Sequence, residues 1–470
     1  MRRVQGIYAP KWVSDTVLSA IRQLPNKGFP IHTRELKLIV YSFIGLILFG
    51  TLLLLMPFSH NGELRFIDAL FTSTSAVCVT GLIVKDTPVD FTPIGQTVIM
   101  LLIQIGGLGY MTAVTFLAVV RRQKIGYRDR LILQESLNYP GMDGLVRFLK
   151  IVFGSIFIIE VIGMAVLTLR FWADMPLEKA AWYGVFHAVS AFNNAGFSLF
   201  SDNMMGYRGD WIINLTVPAL IILGGLGYLV LTELYHFRKK EILRLSTHTK
   251  IVLVMTAILI AAGMGLLLSL EWNNAFQSLS WDEKLLAAWF ASVNYRTAGF
   301  NSIDLSTLSD ANLFFSTFFM MIGGAPGGTA GGIKITAVAL ALIGVWYTLR
   351  GDTHVHVFRR SIPSYQIHKA YAIIFVASFY VVVSTVLLSE VERLPFLRTL
   401  FEACSAFGTV GLSTGNGGVL SYSALFSDAG KLNIILLMFM GRIGVFAFTV
   451  VIVGKAVESR IKYAEGKVVL

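Results

Sequence analysis

Val79-Thr80-Gly81-Leu82 is a glycine-containing turn that follows a short run of apolar and small residues. The same order of residues returns three more times: a short aromatic-rich helix, a small residue, a glycine and a large apolar residue. The later copies are Asn194-Ala195-Gly196-Phe197, Thr297-Ala298-Gly299-Phe300 and Thr409-Val410-Gly411-Leu412. Four copies of one device in one chain predict a site with fourfold pseudo-symmetry.

The composition predicts an integral membrane protein rather than a soluble one. Of the 470 residues, 55% are hydrophobic and 14% are charged, whereas soluble domains carry about 25% charged residues. The mean hydropathy is +0.68, and apolar runs long enough for a transmembrane helix recur along the chain. The net charge of +11 is therefore attributed to basic cytoplasmic loops and not to nucleic-acid binding. Cys78 and Cys404 lie in apolar surroundings, which argues against a disulfide framework.

Each turn lies between two apolar spans, so the predicted repeating unit is span, re-entrant pore helix, turn, span. The predicted fold is an all-α membrane protein with eight transmembrane helices and four re-entrant pore helices around one pseudo-fourfold pore. The predicted boundaries are 1–35 for a basic, amphipathic arm, 36–122, 147–240, 248–350 and 366–456 for pore units 1 to 4, and 457–470 for a tail. No cleavable signal peptide is expected, because the first apolar run begins only near Leu36.

The distribution of basic residues predicts the orientation. Lysine and arginine cluster in the arm, in the tail and in the segments 121–150, 238–250 and 350–369, whereas the alternate loops are balanced or acidic. The positive-inside rule places both termini in the cytoplasm and all four turns at the outer side.

A glycine cluster in the second span of each unit supports the fourfold repeat. The clusters are Gly106-Gly107-Leu108-Gly109, Gly224-Gly225-Leu226-Gly227, Gly323-Gly324-Ala325-Pro326 and Gly441-Arg442-Ile443-Gly444. Three of these spans are predicted to be continuous, at about 94–120, 211–235 and 432–453. The apolar region 313–349 is too long for one straight span of about 30 Å, so it is predicted to be a broken helix.

The turns have the chemistry of a cation filter. Backbone that is not helical survives inside a membrane only where protein buries it or where it lines a cavity. Carbonyl oxygens at such turns can replace the hydration shell of an ion, and glycine permits the backbone conformations that this requires. Because none of the turns carries a carboxylate, a monovalent cation is favoured over a divalent one.

Four segments resemble the pore segments of the Trk/Ktr/HKT potassium transporters, with the KtrB-type membrane subunits as the nearest branch. They are residues 76–82, 190–198, 296–301 and 405–412. The resemblance implies potassium uptake through a filter that binds K⁺ at Val79, Thr80, Gly81, Asn194, Ala195, Gly196, Thr297, Ala298, Gly299, Thr409, Val410 and Gly411.

The resemblance also implies an intramembrane gate beneath the filter. It is formed by Gly323, Gly324, Ala325, Pro326, Gly327, Gly328, Thr329, Ala330, Gly331 and Gly332, with Arg442 as a pore-facing barrier or gate partner. Close helix packing is the alternative role for the glycines, and pairing with loop carbonyls is the alternative for Arg442. A phosphate loop is excluded, because Lys334 is followed by Ile335 rather than by serine or threonine.

Four other polar residues lie within the predicted membrane region. Lys334 is expected to face the inner vestibule, and Glu160 is expected to make a polar contact between helices. His187 and Asn193 are expected to brace the second filter turn rather than bind an ion.

The resemblance implies a homodimer in a bacterial-type cytoplasmic membrane, seated on a KtrA-like cytosolic ring. That regulatory ring, rather than this chain, would bind ATP or ADP. Contact with membrane lipid is equally compatible with the basic inner loops, and sodium coupling stays open. A secondary carrier for another solute is disfavoured, since carriers show broken helices in a pair of repeats. A membrane enzyme is disfavoured because no convergent catalytic set is found.

Overall fold

The chain is almost entirely helical in the computed structural model, which describes residues 33–109, 145–352, 354–445 and 447–449. The predicted amphipathic helix of the N-terminal arm and the predicted tail lie outside the described residues. In chain order the helices are α1 (Thr33–Leu54), α2 (Phe66–Val77), α3 (Thr87–Asp90), α4 (Pro93–Leu108), α5 (Leu145–Trp172), α6 (Leu177–Phe192), α7 (Trp211–Gly225), α8 (Tyr228–Arg238), α9 (Thr247–Glu271), α10 (Trp281–Asn294), α11 (Asp310–Met321), α12 (Ile335–Leu349), α13 (Ser364–Glu392), α14 (Phe396–Gly408) and α15 (Asp428–Ile443). Two short antiparallel strands, β1 (His356–Val357) and β2 (Arg360–Ser361), pair Val357 with Arg360.

Four long helices, α1, α5, α9 and α13, are the described helices with the length and apolar composition of a membrane span. A fifth candidate is the pair α7 and α8, which is bent by 103°. Large apolar side chains such as Phe157 and Phe375 remain mostly exposed on the long helices. Such exposure is normal where lipid, rather than water, surrounds the helix, so the chain is an integral membrane protein.

A short helix follows each long one and is buried by the rest of the protein. These are α2, α6, α10 and α14, and each packs against the long helix before it. The start of α10 is fixed by a capping box between Ser280 and Glu283, which satisfies backbone N–H groups that have no partner within the helix. All four short helices end just before one of the repeated turns.

The helices that return from the turns end or bend at their glycine clusters, which corrects the prediction of continuous second spans. Residues 110–120 of the first of these predicted spans lie outside the described residues. Gly109, the residue that follows α4, has φ 82°, and Gly444, the residue that follows α15, has φ 94°. Between α7 and α8 the break lies at Gly227, with φ 86°. A right-handed helix cannot continue through a residue with positive φ. The expected break in the third unit is present, between α11 and α12.

In two units the end of the long helix is tied to the start of the returning helix. The Glu271 carboxylate at the end of α9 accepts hydrogen bonds from the Ser309 backbone N–H (3.1 Å) and hydroxyl (2.7 Å). Glu392 at the end of α13 accepts the corresponding bonds from Ser427, at 2.9 and 2.6 Å. Ser309 and Ser427 are the N-caps of α11 and α15, so these contacts set the outer frame around the turns.

Candidate functional site: a ring of four glycine turns

The four turns have the same backbone conformation. The first residue of each turn is left-handed: φ is 51° at Val79, 58° at Asn194, 63° at Thr297 and 52° at Thr409. The glycine two positions later also has positive φ, with values of 92°, 70°, 77° and 89° at Gly81, Gly196, Gly299 and Gly411. β-branched residues rarely adopt a left-handed conformation. Its occurrence at Val79, Thr297 and Thr409 marks backbone that the surrounding structure holds under strain.

The backbone N–H of each middle residue turns back onto its own short helix. Thr80, Ala195 and Val410 donate to the carbonyls of Ser75, Ser190 and Ser405, each at 2.8 Å, and Ala298 donates to the Asn294 carbonyl at 3.2 Å. The last turn of each short helix is therefore continued into the glycine turn. This arrangement points the partly negative end of the helix dipole toward the turn, which favours a cation there.

The four turns close into a ring. A methyl group placed on Gly196 would lie 2.8 Å from the Ala298 carbonyl oxygen, and one on Gly299 would lie 2.7 Å from the Val410 oxygen. A methyl group on Gly81 would collide with the Ala195 carbonyl oxygen, and one on Gly411 would collide with the Thr80 oxygen. The contacts run from turn 1 to 2, 2 to 3, 3 to 4 and 4 back to 1. The twelve residues predicted to form the filter are thus brought together, and all are buried.

Serine side chains behind the turns were missed by sequence reasoning. The Ser75 hydroxyl accepts a bond from the Gly81 N–H (3.0 Å), and the Ser405 hydroxyl accepts one from the Gly411 N–H (3.1 Å). Ser190 donates to the Phe197 carbonyl at 2.8 Å. A serine six residues before the glycine in three of the four copies is the signal that could have found them.

His187 braces the second turn, as its position suggested. Its Nδ1 bonds to the Tyr183 carbonyl at 2.7 Å, and its Nε2 lies 3.0 Å from the Ser198 hydroxyl. The Leu199 backbone N–H is a further partner of Nε2, at 3.3 Å. Because Nδ1 faces an acceptor, it carries the proton and Nε2 is left to accept. The imidazole thus joins α6 to the segment that leaves the turn.

Asn193 and Glu160 lie together behind the same turn. The Asn193 amide nitrogen donates to the Gln104 side-chain oxygen (2.8 Å) and to the Glu160 carboxylate (3.2 Å). The Gln104 amide nitrogen also lies 3.3 Å from Glu160. This cluster joins α4, α5 and the end of α6, which is the contact between helices expected of Glu160.

The glycine-rich loop between α11 and α12 lies directly against the turns and the helix breaks. Thr329 is its most connected residue: its hydroxyl donates to the Asn194 side chain at 2.7 Å, and its N–H donates to the Gly224 carbonyl at 3.2 Å. Farther along the loop, the Gly332 N–H donates to the Gly441 carbonyl at 3.1 Å. These bonds seat the loop on the returning helices of the second and fourth units.

Arg442 joins three parts of the protein beneath the ring. One guanidinium nitrogen donates to the Gly106 and Gly107 carbonyls at 2.5 and 2.8 Å, and the other donates to the Thr329 carbonyl. Of these carbonyls only that of Thr329 belongs to the glycine-rich loop, so Arg442 makes the expected contact with the loop and a second contact with the end of α4. Lys334 donates to the Ala330 carbonyl within the loop at 2.6 Å.

The segment above the ring contains a carboxylate outside the spans. The Ser201 hydroxyl donates to Asp86 at 2.6 Å, which connects the loops that follow turns 1 and 2. Burial raises the pKa of the Asp86 carboxyl above its ordinary value, against the opposing effect of that hydrogen bond.

Known proteins resemble this chain over almost its full length. The sequence model of the TrkH family, described as a cation transport protein, matches residues 15–459. A Ktr system potassium uptake protein B from Bacillus subtilis is 40% identical over 434 residues, covering 92% of this chain and 96% of that protein. The potassium/sodium uptake protein NtpJ from Enterococcus hirae is 37% identical, covering 92% and 96%.

A solved structure shares the fold. The crystal structure of the potassium transporter TrkH from Vibrio parahaemolyticus superposes with a TM-score of 0.71. It covers 91% of this chain and 86% of that chain at 17% identity. At that identity the likeness speaks for the fold alone.

Proposed function

Because this chain belongs to the TrkH family of cation transport proteins, we propose that it takes up potassium through the ring of four glycine turns. The family is one of transporters, so the prediction that the chain is not an enzyme is confirmed. The relatives named above as potassium uptake proteins support potassium as the cation.

The observation that carries the proposal is the closed ring of turns. Each middle carbonyl oxygen lies beside the glycine of the neighbouring turn. Twelve backbone residues from four units thus surround one axis, and the short helices direct their C-terminal ends at it. Carbonyl oxygens held in this way suit a dehydrated monovalent cation. K⁺ is the substrate in this proposal, and residues 79–81, 194–196, 297–299 and 409–411 form its binding sites.

The surrounding architecture is proposed to consist of four parallel units. Each unit would contribute two transmembrane passes and one re-entrant pore helix, at the boundaries given by the sequence. The pair α7 and α8 supports this count, since the two helices together have the length and apolar composition of one span that is bent by 103°. The basic segments support a cytoplasmic membrane location with both termini inside.

The glycine-rich loop is proposed to gate the pore, with Arg442 as its latch. The loop lies against turns 2 and 4, through Asn194 and beside Thr409. The guanidinium bonds both to the loop and to the glycine break of the first unit. Opening would break these backbone contacts, and each such charge-assisted bond stabilises the closed arrangement by about 1.5–3 kcal/mol.

Regulation is proposed to come from outside this chain. Relatives named as B and D proteins of Ktr systems are 40% and 34% identical to it, and a system name implies a further component. A homodimer on a nucleotide-binding cytosolic ring is the assembly we propose. The potassium/sodium name of the Enterococcus relative supports a test of sodium dependence.

Growth of a potassium-uptake-deficient bacterial strain at low external potassium tests the function. The full chain, expressed with its native regulatory partner, is expected to restore growth and the uptake of potassium. A chain with Gly81, Gly196, Gly299 and Gly411 all replaced by alanine is the inactive control. The proposal fails if the native chain reaches the membrane in normal amount but supports no potassium uptake.

A further inference from the structure

The fourth unit has a polar residue, Glu402, at the position that corresponds to His187 in the second unit. Counting nine residues back from each turn glycine gives Thr72, His187, Phe290 and Glu402. Among these, His187 and Glu402 each bond to a serine two residues after the glycine of their own turn, Ser198 and Ser413.

Glu402 is a fully buried carboxylate surrounded by hydrogen-bond donors. One oxygen accepts the Ser413 hydroxyl at 2.7 Å, and the other accepts the Ser423 N–H at 2.9 Å and its hydroxyl at 2.5 Å. The Ser413 oxygen already accepts the backbone N–H groups of Tyr422 (2.7 Å) and Gly415 (3.2 Å). The Ser413 hydroxyl proton is therefore donated to Glu402, and both carboxyl oxygens of Glu402 must act as acceptors.

The segment that Glu402 holds reaches across to the first unit. Ser421, two residues before Ser423, accepts the Ile83 N–H at 2.9 Å and donates its own N–H to the Ile83 carbonyl at 3.0 Å. Ile83 lies two residues after Gly81. The exit of turn 1 is therefore fixed to the loop that Glu402 anchors.

The second unit repeats this arrangement toward the third. Ser198 bonds to His187, and farther along the loop that contains Ser198 the Met204 N–H donates to the Asn301 carbonyl at 3.0 Å. Asn301 lies two residues after Gly299. Thr72 and Phe290 make no comparable link: the Thr72 hydroxyl bonds to the Asp68 carbonyl of its own helix at 2.9 Å.

We propose that Glu402 and His187 are positioning residues for ion selection, each holding the outer ends of two neighbouring turns. Glu402 would hold turns 4 and 1, and His187 would hold turns 2 and 3. The carbonyl oxygens of the ring then follow fourfold pseudo-symmetry, whereas the two side chains that support the ring, Glu402 and His187, follow twofold pseudo-symmetry. This inference rests on the proposed function and extends it, since it names side chains outside the turns that set selectivity.

The test compares potassium and sodium uptake by full-length variants present in the membrane in equal amount. Ser413→Ala removes the link from Glu402 to the turn exit. Glu402→Gln places an amide N–H group against the Ser413 hydroxyl, whose oxygen already accepts two backbone N–H groups. Each is expected to lower the ratio of potassium to sodium uptake about tenfold, the change that loss of one net hydrogen bond produces. Ser413→Thr keeps the hydroxyl and is expected to keep the ratio.

Thr72→Val is the matched control, because it removes a buried hydroxyl at the equivalent position without touching a turn exit. The inference is overturned if Ser413→Ala keeps the native ratio, or if Thr72→Val lowers it as much. If Glu402→Gln does not accumulate in the membrane, Ser413→Ala and Ser198→Ala provide the test of selectivity instead, because each removes only one hydroxyl group. A native chain without potassium uptake would instead overturn the proposed function.

Discussion

At the scale of single residues, the turn glycines are the positions where adding any side chain should disturb the ring. A β-carbon at Gly299 would lie 2.7 Å from the Val410 oxygen and 2.8 Å from the Gly196 α-carbon. Its φ of 77° adds a conformational cost of about 1–2 kcal/mol. We therefore expect Gly299→Ser to reduce the preference for potassium over sodium in a flux assay.

Gly45→Ala is the control for that substitution. Gly45 is exposed on α1, and no atom lies within 4 Å of a β-carbon built there. It should leave both the amount of protein and its selectivity unchanged. If Gly299→Ser keeps native selectivity while reaching the membrane, Gly299 does not belong to the filter.

Arg442 is the second residue with an individual role. Arg442→Ala removes the hydrogen bonds to the carbonyls of Gly106, Gly107 and Thr329, so the loop should open more readily. We expect a higher initial rate of potassium uptake per molecule. Arg442→Lys should be intermediate, because an ammonium group is a point charge without the planar fork of guanidinium. A purely structural pairing would give less folded protein and no gain in rate.

The sequence could predict the turns and Arg442 but not the supports of the ring. A turn is local, and a charge in an apolar span stands out by itself. Glu402 bonds to Ser413 and Ser423 across sequence separations of 11 and 21 positions, and nothing in the local pattern selects those hydroxyls. The fourfold repeat was therefore visible, whereas the twofold support was not.

At the scale of elements, the breaks in the returning helices were the main difference from expectation. Glycine is common in transmembrane helices, so a glycine cluster does not reveal which member takes a positive φ. The structure assigns that role to the last glycine of the cluster in units 1, 2 and 4, at Gly109, Gly227 and Gly444. These breaks expose backbone groups that the loop and Arg442 then bond.

Neighbouring glycines at the α7–α8 bend give a matched test of that assignment. Gly227 has φ 86°, and a β-carbon there would lie 2.8 Å from the Pro326 carbonyl oxygen. At Gly225 the nearest atom is 3.7 Å away, an ordinary contact. Gly227→Ala is expected to lower the denaturation midpoint of the purified protein and to change uptake, whereas Gly225→Ala is tolerated. Equal effects of both variants would show that the bend does not depend on Gly227.

At the scale of the whole molecule, contacts between units hold the ring closed on the side where the chain leaves the turns. Ser201 and Asp86 connect units 2 and 1, and Met204 and Asn301 connect units 2 and 3. Units 4 and 1 are far apart in sequence, so closing the ring between them requires its own contacts. Beside the bonds of Ser421 to Ile83, the structure places an ion pair there.

That ion pair, Asp68–Lys431, is expected to stabilise the contact between units 4 and 1 that closes the ring. The Lys431 ammonium lies 2.7 Å from the Asp68 carboxylate, with both side chains less than a tenth exposed. Asp68→Asn leaves a buried ammonium without its counter-charge, a loss of about 3–5 kcal/mol. Arg65 is exposed and divides its guanidinium between Asp68 (3.1 Å) and Asp428 (2.8 Å). Arg65→Gln leaves Lys431 paired with Asp68, so it should cost at most about 1 kcal/mol. Denaturation midpoints in detergent should therefore fall much further for Asp68→Asn, and the double variant Asp68→Asn with Lys431→Met should recover most of the loss. Equal midpoints for Asp68→Asn and Arg65→Gln would mean that the buried pair does not hold units 4 and 1 together.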